Sequence, residues 1–226
     1  MKKYLSMSVT SLLAVLVSNV TNAQLYVTAS IGGAPSVSDA TLETFDEPSP
    51  PLLTLSSGAN LVSGSAPGAF AAPFFSGSTA TVFGESPAYG SDSTQYVVAG
   101  PGATATFSFL TSQNYFGLLW GSVDADNSLT FYDTANNVIG TVYGSAFPPA
   151  TYYGDQGVDG TSYVNVTSTV PFSKVVASNS GAQFEFDDVA YAMVVPEPSS
   201  LTSLGCGLCL LGLAWRHQLT KYSNLR

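Results

Sequence analysis

Between residues 24 and 194 the chain has no cysteine, no arginine and no histidine, and its only cation is Lys174. Each absence excludes a class of chemistry. Without cysteine there is no disulfide, no thiolate nucleophile and no thiolate metal cage. Without histidine the usual base of a serine or cysteine hydrolase is missing, and no G-x-S-x-G stands in for that machinery. Without arginine, and with one lysine, phosphates cannot be clamped for phosphoryl transfer, nor their counterions displaced, so nucleic acid is not a partner. The stretch also lacks any run with a sustained helical period, and it shows no internal repeat of the length that builds solenoids or propellers.

What remains is acidic and rich in β-forming residues. Of the 15 acids, 14 fall in this stretch, against its single lysine. Apolar residues come in short runs alternating with small or hydroxyl residues, as in Ala103-Thr104-Ala105-Thr106-Phe107-Ser108-Phe109. Alternation of period two places one face of a strand on a core and the other away from it. Further strands are expected at 25–31, 79–84, 95–99, 115–123, 128–132, 138–143, 162–168, 172–177 and 183–194. A hairpin is expected where Leu129–Tyr132 and Val138–Val142 flank Asp133-Thr134-Ala135-Asn136-Asn137, because Asp and Asn side chains cap their own turns. Close-spaced strands with turn residues between them predict an all-β fold, an antiparallel β-sandwich of jelly-roll-like form. Residues 46–77, with Pro, Gly and Ser clusters, read as loop-rich.

The two ends differ from the middle. Residues 1–23 carry Lys2 and Lys3, an apolar run centred on residues 12–17, and small residues at Thr21 and Ala23. That order is a secretory signal peptide, with cleavage expected between Ala23 and Gln24 by signal peptidase after Sec export. At the other end Pro196-Glu197-Pro198 is followed by an uncharged Leu/Gly-rich run at 199–215 and a tail at 216–226 holding Arg216, Lys221 and Arg226. As a helix the run would span roughly 25 Å, close to the bilayer's hydrocarbon thickness, with the basic tail held on the cytoplasmic side.

This ordered combination, covering 195–226, resembles the PEP-CTERM sorting signal of Gram-negative bacteria. The resemblance implies an inner-membrane-anchored precursor, cut near Pro196-Glu197-Pro198 by an exosortase and delivered to the cell surface or an extracellular polysaccharide matrix. The chain departs from the pattern in spreading its basic residues along the tail, and in Cys206 and Cys209, which in hydrocarbon read as packing residues. The segments 115–133 and 184–191 are similar to blocks of other proteins that carry this signal.

Within the domain two groups stand out. Asp124, Asp126 and Asp133 offer oxygens for Ca²⁺, although an EF-hand would need glycine and glutamate where Leu129 and Ala135 stand; the alternative is that these residues only shape turns. Glu185, Asp187 and Asp188 lie together, with Glu185 and Asp187 on the face opposite Phe184 and Phe186; like charges so close are expected to be solvated, the alternative being that a cation neutralises them. Tyr152 and Tyr153, bounded by Pro and Gly, can stack on sugar rings or simply pack. Asn165-Val166-Thr167 fits a glycosylation sequon, read here as a chance match. A pair such as Asp124 with Glu185 is the minimum a glycosidase requires, but no signature spacing accompanies it.

The sequence therefore predicts a non-enzymatic exported protein without a tightly bound cofactor, associated with envelope, exopolysaccharide or biofilm. The alternative is a calcium-assisted carbohydrate-binding module, and a glycan-active enzyme is the third reading.

Overall fold

The computed structural model describes residues 23–46, 52–147 and 153–194. The expected signal-peptide core, the sorting motif, the apolar run and the basic tail lie outside the described residues. Strands dominate: β1 (Leu25–Ser30), β2 (Thr41–Glu43), β3 (Leu53–Leu55), β4 (Ala59–Ser63), β5 (Phe74–Phe75), β6 (Gly90–Ser91), β7 (Gln95–Ala99), β8 (Thr104–Gly121), β9 (Ser128–Tyr132), β10 (Val138–Tyr143), β11 (Ser162–Ser178) and β12 (Phe184–Ala192). One short helix, α1 (Thr79–Phe83), accompanies them. Among the described residues no helix is long and apolar enough to cross a membrane. The ladders are antiparallel, in agreement with the all-β expectation.

Two long strands organise the molecule. β8 and β11 pair along most of their length, with Leu118 opposite Val164 at one end and Phe107 opposite Val175 at the other. Their register slips between Thr167 and Lys174. Pro171 falls in that interval, where a residue without an N–H is tolerated. On one side of the slip β11 pairs with β1, and β8 with β12. On the other side β11 pairs with β9, β9 with β10, and β8 with β3. The strands thus carry the chain from one layer into another, and a sequence read in short pieces shows 104–121 and 162–178 each as two strands.

The layers meet on aromatic side chains. Phe107, Phe116, Trp120, Phe131, Phe172, Phe184 and Phe186 are fully buried in one apolar cluster with Leu118, Val164 and Val175. Phe116 meets Phe131 edge-on at 6.0 Å, Phe107 packs on Phe186 at 5.8 Å, and Trp120 stacks on Phe184 at 4.4 Å. Large rings at this density supply most of the burial that a domain without disulfides requires.

The segment from 64 to 94 covers the opposite face of β8, β11 and β12. Phe75 and Ala80 form a second buried cluster with Leu119 and Tyr163. Here the expected strand at 79–84 is instead α1. Thr79 and Ala80 turn into the molecule, and Gly84, with φ of 81°, ends the helix in left-handed backbone. Tertiary cover overrides the β propensity of Thr-Ala-Thr-Val-Phe. The nominally loop-rich stretch 46–77 likewise contains β3, β4 and β5. Asn165 of the sequon is a buried structural node: its Oδ1 accepts bonds from Ser36 N at 2.8 Å and Tyr115 Oη at 2.6 Å.

Candidate functional site

A cleft of about 150 Å³ opens where the turn at Gly68–Phe70, the end of β8, the loop at 153–157 and the start of β12 converge. Its lining is polar: Ser122, Asp124, Gln156, Gln183 and Glu185, with Phe70 as the aromatic wall. Local sequence explains the convergence. Leaving β8, the chain turns at Ser122, whose φ of 40° is rare outside glycine, and this non-glycine strain sits in the cleft itself. Asn127 then fixes the loop: its Oδ1 accepts from Asp124 N at 3.0 Å while its Nδ2 donates to Gln183 O at 3.0 Å. Two glycines let the neighbouring chains close on Asp124. A Cβ at Gly144 would stand 2.0 Å from the Asp124 carbonyl oxygen, and one at Gly154 would stand 2.9 Å from its Oδ1.

The carboxylates of the cleft are held away from their usual state. Glu185 is 3% exposed; Ala71 N donates to its Oε1 at 3.1 Å, while Oε2 has no hydrogen-bond partner. Burial first, and then the negative charge of Asp124, push its carboxyl up to about 7, against the donated Ala71 N–H. Burial and Asp126 raise Asp124 as well. Ser122 Oγ, also buried in the cleft wall, has no partner within the protein. The site therefore combines two side-chain amides, which donate and accept, with the raised Glu185 carboxyl, the Asp124 carboxyl and an unsatisfied hydroxyl. Such a set matches a ligand carrying several neutral donor–acceptor groups.

The structure distributes the other sequence-derived candidates differently. Asp124 and Asp126 precede β9 and Asp133 follows it, so about five residues of extended strand, roughly 17 Å, separate them. The three do not form one calcium site. Asp126 instead ties the loops together, with Oδ2 accepting from Ser180 Oγ and Ala182 N, both at 3.2 Å. Asp133 caps the β9–β10 turn: it accepts from Asn137 Nδ2 at 2.9 Å, Asn137 N at 2.8 Å and Ala135 N at 2.9 Å, and these bonds, the Asn137 side chain first, hold its carboxyl below the usual range. Tyr153 is 74% exposed at the edge of the cleft and its backbone bridges to Asp124; Tyr152 lies outside the described residues. Ala23 is exposed, and Gln24 is tied to Thr169 by two 3.0 Å bonds. Sequence reasoning missed Ser122, Gln156 and Gln183, because a lone serine or glutamine in a turn carries no pattern.

The solvated face expected for Glu185 and Asp187 is also corrected. Glu185, Asp187 and Asp188 are all buried, because the segment 64–94 lies over that side of β12. Phe184 and Phe186 do point into the core. A second groove of about 450 Å³, lined by Leu52, Phe109, Leu110 and Tyr191 among others, is larger but mostly apolar. It offers few groups that could fix a polar ligand's orientation.

No protein-family model matches the sequence, and no curated protein matches it. Solved structures similar to the chain include a family 6 carbohydrate-binding module used in binding sub-site dissection, 13% identical, covering 68% of this chain and 94% of that one with a TM-score of 0.36. A module from Clostridium stercorarium in complex with cellobiose is 12% identical, with 73% and 100% coverage and a TM-score of 0.37. A module of Cellvibrio mixtus lichenase 5A in complex with cellotriose is 13% identical, with 63% and 91% coverage and a TM-score of 0.33. At these identities and scores the resemblance does not establish what this chain binds.

Proposed function

We propose that residues 24–194 form a non-catalytic carbohydrate-binding domain of the jelly-roll-like β-sandwich class. The observation that carries this reading is the cleft: Gln156, Gln183, Asp124 and Glu185 around Phe70, with buried oxygens of Ser122 and Glu185 still seeking partners. A sugar's vicinal hydroxyls each donate and accept, which suits the two amides and a carboxyl raised to about 7 at Glu185, and its C–H face suits an aromatic wall. A phosphate or other anion would meet two carboxyls and no cation. Calorimetric titration against a panel of neutral oligosaccharides should give saturable binding. Gln183→Ala should weaken it at least tenfold, since a bond to a buried polar partner is worth about 1.5 kcal/mol or more and 1.4 kcal/mol is a factor of ten. No heat with any sugar contradicts the reading.

One observation favours a second reading. Asp124 and Glu185 line the same cleft, and burial raises both carboxyls, Glu185 to about 7, as a glycosidase acid requires. The same panel separates the two: sugar binding without product release supports the binding module, and product release abolished by Glu185→Gln supports the enzyme.

Delivery belongs to the proposal too. The ordered motif, apolar run and basic tail at 195–226 support export, exosortase processing and attachment to the envelope or exopolysaccharide. Deleting Pro196 to Pro198 should leave an uncut, membrane-bound precursor in fractionated cells, and normal release of the deleted form contradicts this part.

A further inference from the structure

The cleft presents more acceptors than a single hydroxyl of a ligand can meet. Glu185 is 3% exposed and Ser122 is 7% exposed, and both line the cavity. Of the Glu185 carboxylate oxygens, Oε1 is taken by Ala71 N at 3.1 Å, which leaves Oε2 without a partner in the protein. Ser122 Oγ is left in the same way. Asp124 adds a second carboxyl to the lining, and Gln156 and Gln183 add carbonyl oxygens. A hydroxyl brings one proton to such a set, whereas an ammonium brings three N–H donors and a positive charge.

These groups stand on ordered chain. Glu185 pairs with Gly121 of β8 on one side and with Val98 of β7 on the other. Ser122 follows directly on β8, and Asp124 is tied by donating its N–H to Asn127 Oδ1 at 3.0 Å. A ligand atom between them therefore meets acceptors that are already in place.

Charge points the same way. The stretch 24–194 holds 14 acids against one lysine, so the field around the domain draws cations and repels anions. Lys174 is engaged elsewhere, bonding Asn136 and lying 4.0 Å over the Tyr132 ring, so it does not neutralise the cleft.

We infer that the cleft takes an amino sugar, a hexose unit with a free primary ammonium, held by Glu185, Asp124 and Ser122 while Phe70 meets the ring. The inference rests on the carbohydrate-binding reading and narrows its ligand class. Charge-assisted hydrogen bonds to carboxylates are stronger than those from neutral hydroxyls, and the protein has already taken the Glu185 carboxyl out of water. Burial, and then Asp124, raise that carboxyl to about 7, so an ammonium at Oε2 takes the place of a proton.

The test is calorimetric titration at about pH 6.5 and low salt, where amines are charged and screening is weak. The probes are trisaccharides of glucosamine and of galactosamine, each beside its N-acetylated form and its neutral form with hydroxyl at C2. One free-amine form should bind at least tenfold more tightly than both of its counterparts. Glu185→Gln keeps the shape and an acceptor for Ala71 N, and it should bring that ratio close to one. If Glu185→Gln does not fold, Asp124→Asn supplies the readout, since it should also lower the ratio. Asp133→Asn removes the same charge beyond the far end of β9 and should leave the ratio intact. Lysine amide, an ammonium without a sugar ring, should not compete. Free-amine forms that bind no more tightly than their hydroxyl counterparts overturn the inference and leave the carbohydrate reading standing. Silence with every sugar, these and the neutral panel alike, removes both. A preference that survives Glu185→Gln and Asp124→Asn, one that is lost in Asp133→Asn, or lysine amide binding as tightly as the amino sugar also overturns it.

Discussion

In chelator, raising the pH from 5 to 9 should lower the thermal midpoint by roughly 10 °C or more. The cause is the set of buried carboxyls. Burial, reinforced by Glu85, Asp92 and Asp46, pushes Asp188 up to about 9. Asp187 is raised well above the usual range, by burial and then by Asp188 and Asp92. Glu185 and Glu85 are each raised to about 7, with burial the main cause in both. In the unfolded chain all of these ionise near pH 4. The folded protein therefore holds more protons than the unfolded chain across this window. Stability is complete below the unfolded values and falls as pH rises through 7 towards 9. A tenfold difference in proton affinity between the folded and unfolded chain is worth about 1.4 kcal/mol, so the fully buried Asp188 alone contributes several kcal/mol. A domain of this size loses about 2–4 °C per kcal/mol. Asp133, displaced the other way, matters only below pH 4. A midpoint that is flat or rises between pH 5 and 9 would show that the carboxyls are not buried as described.

Trp120 is the second lever. It is fully buried between Phe184, stacked at 4.4 Å, and Phe147, edge-on at 5.1 Å. Trp120→Ala should cost about 3–5 kcal/mol in denaturant unfolding, the range for emptying a large aromatic site that cannot collapse. Trp120→Phe should cost far less, about 1–2 kcal/mol, because the indole Nε1 has no hydrogen-bond partner and its loss removes an unsatisfied buried donor. Equal costs for the two substitutions would mean that Nε1 has a partner or that the ring packs elsewhere. Trp120 pairs with Phe186 across the β8–β12 ladder, beside the Glu185 end of the cleft, so Trp120→Phe also reports whether core packing reaches the site.

The sequence carried the strand periodicity well and the covering segment poorly. Alternation in 104–109 and the Asp/Asn turn at 133–137 are local signals, and the structure follows both. Thr79–Phe83 looked like a strand because β-branched residues favour one, yet its conformation is set by what it packs on. The same long-range cover decides the acids of β12. Period two places Glu185 and Asp187 opposite Phe184 and Phe186, correctly, but no local pattern states that residues 64–94 lie over that face. Nor does sequence announce the bulge that turns Asp188 to the side of Asp187. The pairing of Asp124 with Glu185 in one cleft was legible as a possibility, while its glutamine and serine partners were not. Oxygen-rich residues around 124–133 suggested a calcium loop, but β9 holds Asp133 at the far end of a strand.

The most direct test of the binding reading is chemical-shift mapping on isotope-labelled protein with the sugar that the calorimetric panel selects. The side-chain amides of Gln156 and Gln183 and the backbone of Ser122 to Asp124 should move with one common dissociation constant, while Leu110 and Tyr191 stay fixed. Shifts confined to the Phe109–Tyr191 groove, or none at saturating sugar, would contradict it.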